Sequence, residues 1–138
     1  MTAPIKISTT LPTRRLLGTC LGGLAGAAAL WSIVTWLGPW PPAVLTTGLL
    51  ALGVTAVIST LGLLAIRPWK ERPILAWGGL LIALSLGRIV ATLGVCLLLY
   101  FVARLPASPL LLGALAGLIP VLVGETTVTA GVFRRLSR

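Results

Sequence analysis

The sequence predicts an all-α, polytopic membrane protein: four transmembrane helices in an antiparallel bundle, with both termini cytoplasmic. Three observations carry this prediction. The chain is 57% hydrophobic and only 9% charged, with a mean hydropathy of +1.08, whereas soluble domains carry about 25% charged residues. Four apolar runs, near residues 16–37, 43–66, 74–103 and 110–133, each reach the ~20 residues that a helix needs to cross a hydrocarbon core about 30 Å thick. The basic residues Lys6, Arg14, Arg15, Arg67, Lys70, Arg72, Arg134, Arg135 and Arg138 fall in the N-terminal arm, the central turn and the tail. Only Arg104 flanks the opposite side, so the positive-inside rule puts the arm, central turn and tail in the cytoplasm.

Residues 1–13 hold Pro4, Pro12 and several hydroxyl side chains without apolar periodicity, and are expected to form a flexible cytoplasmic arm before a four-helix domain over 14–138. Thr13-Arg14-Arg15-Leu16-Leu17 resembles a twin-arginine export signal and Leu17-Gly18-Thr19-Cys20 loosely a lipobox. The apolar run that follows exceeds the roughly 7–15 residues of a signal h-region, and three more spans come after it, so a retained first helix is expected. Within it Gly18, Gly22 and Gly26 recur every fourth residue. Such a small-residue face lets another helix approach closely, either within this chain or from a partner.

Gly38-Pro39-Trp40-Pro41-Pro42 stops the first helix, and Trp36 and Trp40 suit the outer interface. In the second span, the hydroxyls of Thr46, Thr47, Thr55, Ser59 and Thr60 can bond to carbonyls one turn back. Arg67 to Pro73 reads as a tight basic turn at the inner surface. The third run is about 30 residues, or roughly 45 Å, longer than the hydrocarbon requires, with Trp77 and Tyr100 expected as interface anchors at its ends. Arg104 to Pro109 makes the outer turn. In the fourth run Gly117, Gly124 and Gly131 repeat every seven residues, predicting a glycine packing seam.

The chain contains no His, Asp, Asn or Gln, which removes most metal ligands, general bases and the parts of a Ser/His/Asp or Cys/His site. No enzyme, metal or cofactor is expected. The net charge of +9 is explained by topology and by attraction to anionic lipids, rather than by nucleic acid. Cys20 and Cys96 differ in depth and are expected to be packing residues that do not pair.

Two charges do not belong to the loops. Arg88 and Glu125 lie inside the third and fourth runs, where ionisable groups are costly and face protein or water. Arg88 follows Trp77 by eleven residues and Glu125 precedes Arg134 by nine, depths of about 16 and 14 Å at 1.5 Å per residue. Consecutive spans joined by a short turn are antiparallel neighbours, so the two can pair. Such a pair can serve register alone, with Ser85, Thr92, Thr126 and Thr127 taking spare hydrogen bonds. Alternatively it serves function, with Arg88 receiving a partner's carboxylate or Glu125 handling a proton or cation.

The segment Gly117-Leu118-Ile119-Pro120-Val121-Leu122-Val123-Gly124-Glu125, with a basic residue in the third helix at Arg88, resembles the ATP synthase subunit I family, small four-span proteins of bacterial F-type ATP synthase operons. The resemblance implies a non-enzymatic assembly or scaffold factor for the rotor ring in a bacterial cytoplasmic (inner) membrane, with ATP synthase c or a subunits as partners. Arg88 would then meet the membrane carboxylate of a c subunit, and Gly18, Gly22 and Gly26 its glycine-rich helix. The alternatives are a small oligomeric ion-coupled transporter or channel using Glu125, and a membrane anchor subunit of another complex. One continuous water-open cavity lined by Ser85, Arg88, Thr92 and Glu125 would favour transport.

Overall fold

The computed structural model describes residues 8–136. Four helices, α1 (Thr13–Leu37), α2 (Pro42–Ala65), α3 (Ile74–Ala103) and α4 (Ala107–Leu136), are each long and apolar enough to cross a membrane. Two short strands, β1 (Ser8–Thr9) and β2 (Arg72–Pro73), pair antiparallel, with Ser8 opposite Pro73 and Thr9 opposite Arg72. Prolines punctuate the helices as their missing N–H dictates. Pro12, Pro41 and Pro73 occupy the N-cap positions of α1, α2 and α3, and Pro42 opens α2. Helix α4 starts three residues before its predicted apolar run, because Pro109 in the first turn has no hydrogen bond to lose. The turn before it is correspondingly short, and Arg104 closes α3 in the left-handed region at φ 51°.

The packing centre is the α2–α4 pair, with α1 and α3 each resting on both of these helices. The centre is tight because glycines face each other. A Cβ on Gly113 would stand 2.6 Å from the Gly48 carbonyl oxygen, and one on Gly117 would stand 3.1 Å from both Leu52 and Thr55. On the α1 side, Gly124 lies against Thr19 and Gly23 against Pro120. In lipid, where helix association rests on such close contact rather than on the hydrophobic effect, these approaches hold the bundle together. Large apolar side chains including Leu30, Ile33, Val57, Leu75, Val90, Phe101 and Ile119 point outward. An apolar exterior of that extent suits hydrocarbon and not water.

Three expectations need correction. Trp77 is not an interface anchor. It is fully buried, its Nε1 donates to the Thr9 carbonyl at 2.8 Å, and the Arg72 guanidinium lies 5.8 Å from its ring centre. The arm is not free along its whole length, because Leu11 is buried in the core and its amide donates to the Pro68 carbonyl. Apolar burial at Leu11, the β1–β2 pairing and the hydrogen bonds at Leu11 and Thr9 offset the entropy of ordering so short a stretch; residues 1–7 of the predicted arm lie outside the described residues. The predicted glycine faces also divide: Gly18, Gly22, Gly26 and Gly131 have no atom within 4 Å of a would-be Cβ, and all four are exposed. Of these small-residue positions, only Gly117 and Gly124 pack within the chain.

Candidate functional site

Helix α3 meets the bundle along one narrow stripe. Its buried residues are Trp77, Arg88, Thr92 and Cys96, spaced so that they return to one side of the helix. Arg88 is therefore carried inward by the same periodicity that buries Trp77 and Cys96. Glu125 is brought to it from α4, whose own inward row runs Gly117, Val121, Glu125 and Thr129 at every fourth residue.

The two side chains meet, as their matched depths allow. Arg88 Nη2 donates to Glu125 Oε1 at 2.8 Å, with the side chains only 1% and 6% exposed. The same Nη2 lies 3.4 Å from the Ser59 carbonyl on α2, so three helices converge on the guanidinium. The contact is single and end-on. Nε and Nη1 of Arg88 are buried without a partner, and so are Ser59 Oγ and Thr92 Oγ1. A guanidinium has five N–H donors, and unmet donors in a low-dielectric interior are costly.

The hydroxyls expected to supply these bonds do not. Ser85, Thr126 and Thr127 bond to the carbonyls of Leu81, Leu122 and Gly124 on their own helices. The backward bonding predicted for α2 is seen at Thr46, Thr55 and Thr60, whereas Thr47 and Ser59 depart from it. Sequence spacing could flag Ser59 only as another back-bonding hydroxyl. Its place beside Arg88 is set by the α2–α3 packing.

Glu125 also reaches a surface. Together with Leu81, Ile82, Ser85, Leu122, Thr126 and Thr129 it lines a groove of about 500 Å3 between α3 and α4, open along the side of the bundle. Arg88 and Thr92 do not line this groove, so Ser85, Arg88, Thr92 and Glu125 do not share one cavity. The exposed glycines of α1 belong to a different face, because α1 and α3 pack against α2 and α4 rather than extensively against each other. Cys20 and Cys96 are free thiols in separate buried clusters. No group of three or more metal-ligating side chains occurs among the described residues.

No family model matches the chain, and no curated protein or solved structure is significantly similar to it.

Proposed function

We propose that this protein is a non-enzymatic assembly or scaffold factor of the bacterial inner membrane, which docks another helical membrane protein through the Arg88–Glu125 centre. The supporting observation is the incomplete satisfaction of a buried cation. Arg88 makes one end-on contact with Glu125 and leaves Nε and Nη1 bare, in a setting where one carboxylate held by two parallel bonds would be the better partner. A second carboxylate entering by the α3–α4 groove meets Glu125 first and can displace it from, or share, the guanidinium. The intramolecular pair then acts as a placeholder that keeps Arg88 neutralised until the partner arrives.

The ATP synthase rotor fits this chemistry, because its c subunit is a helical hairpin with a carboxylate in the membrane. In this reading the protein resembles subunit I in role as well as in its last-helix motif. The c helix that brings the carboxylate lies along the α3–α4 groove, while the outward Gly18, Gly22 and Gly26 face of α1 receives a second helix, from an a subunit or another c subunit. The basic end of the bundle faces the cytoplasm.

The test is purification of the tagged protein from native membranes in mild detergent, with mass spectrometry of the proteins that accompany it. Wild type is expected to bring down ATP synthase c or a subunits, and Arg88→Met/Glu125→Met to lose them while remaining folded. Recovery of the protein alone from wild-type membranes would sink the reading. So would equal recovery of c subunits with the double variant.

A further inference from the structure

We propose a binding site for the phosphate of an anionic phospholipid in the cleft between the start of α1 and the end of α4. The cleft holds about 530 Å3 and is lined by Pro12 and Arg15 from the α1 side and by Thr127, Val128, Gly131, Val132 and Arg135 from α4. Its volume is within the range of small-ligand sites, roughly 300–1,000 Å3. Two guanidinium-bearing residues on opposite walls give it its charge, and Val128 and Val132 give it an apolar floor.

The chain offers no acidic side chain to this cleft. It has two acidic residues in all: Glu125 is held by Arg88, and Glu71 is exposed in the turn between α2 and α3. Among the described residues no carboxylate holds Arg15 or Arg135, which leaves their charge to an anion from outside. Helix α1 adds to the attraction: it has no side-chain cap, and the Leu16 amide is the first to bond back, to the Pro12 carbonyl. The preceding first-turn amides and the positive end of the helix dipole consequently lie at the Pro12 edge of the cleft. The carbonyl end of α4 opposes this, and the basic residues of its last turn, Arg134 and Arg135, offset it.

A lipid fits better than a free anion. The cleft sits where two apolar spans end, so its floor continues into the hydrocarbon-facing surface and its rim meets the headgroup layer. Gly131 makes the room. It is exposed, with no atom within 4 Å of a would-be Cβ, so a side chain there would occupy the cleft without disturbing the bundle. An anionic headgroup is selected over a zwitterionic one because the latter carries its own cation to compete with the two arginines. This site is independent of which protein meets Arg88.

The experiment is native mass spectrometry of the detergent-purified protein titrated with phosphatidylglycerol or phosphatidylcholine of the same acyl chains. One phosphatidylglycerol is expected to bind with clear preference. Arg15→Gln/Arg135→Gln should weaken it roughly 30-fold, from the known contribution of each basic residue near an anionic surface. Gly131→Leu should weaken it strongly with all charges kept, which secures the test if the double variant fails to fold. Arg67→Gln/Lys70→Gln removes two charges from the same end of the bundle and should have a far smaller effect. Equal losses in the two charge-removing variants, wild-type binding by Gly131→Leu, or no headgroup preference would each overturn the site. Displacement of the lipid by equimolar inorganic phosphate would reassign it to a soluble anion.

Discussion

Arg88 is the residue on which stability and function pull apart. Removing one member of a buried ion pair leaves an uncompensated charge and typically costs about 3–5 kcal/mol, whereas replacing both members by apolar residues of similar size is often neutral or stabilising. Arg88→Met and Glu125→Met alone are therefore expected to lower unfolding stability by about that amount, and the double variant to recover it to within about 1 kcal/mol of wild type. Unfolding of the purified protein by denaturing detergent, followed through its tryptophans, measures this. A double variant as unstable as the singles would mean that the pair does more than neutralise itself. Matching depths on neighbouring spans made the partnership legible in the sequence. The bare Nε and Nη1 were not legible, because hydrogen-bond satisfaction depends on rotamers and on a third helix.

At the scale of the helix, glycines of similar spacing have opposite roles. Gly113 lies against the backbone of Gly48, where nothing flexible can yield. Gly113→Ala is therefore expected to destabilise the bundle by about 1–3 kcal/mol, as overpacking does. Gly22 has open space around it, and Gly22→Ala should leave stability unchanged or slightly raised, given the better helix propensity of alanine. Thermal unfolding of the two variants in the same detergent compares them directly, and equal effects would contradict the packing described. The sequence could not separate these glycines for a physical reason. A helix bathed in hydrocarbon is apolar on every side, so polarity no longer marks the inward face. Arg88 and Glu125 escape this ambiguity because a charge must turn inward. Trp77 was misplaced for the related reason that tryptophan near a span end suits both a headgroup layer and a buried site with one acceptor.

For the molecule as a whole, number and order of spans followed directly from the four apolar runs and the proline-rich turns between them. Orientation rests on the distribution of basic residues and yields a separate prediction. In a background of Cys20→Ser/Cys96→Ala, Lys70→Cys should react with a membrane-impermeant maleimide only after the membrane is opened, and Arg104→Cys in intact cells. The reverse pattern would invert the bundle and put the lipid cleft on the other leaflet. Packing of α1 and α3 on a shared α2–α4 centre also means that a partner on one flank need not disturb a partner on the other.

The pairing of Ser8–Thr9 with Arg72–Pro73, sealed by Leu11 and Trp77, has a consequence for biosynthesis. Its two halves are separated by the entire first hairpin, so the earlier half leaves the ribosome long before the later half exists. Leu11 must wait at the membrane surface until the start of the third span has been made. The clasp therefore closes only once the first hairpin is complete and the third span has begun, and it ties the start of α1 to the start of α3.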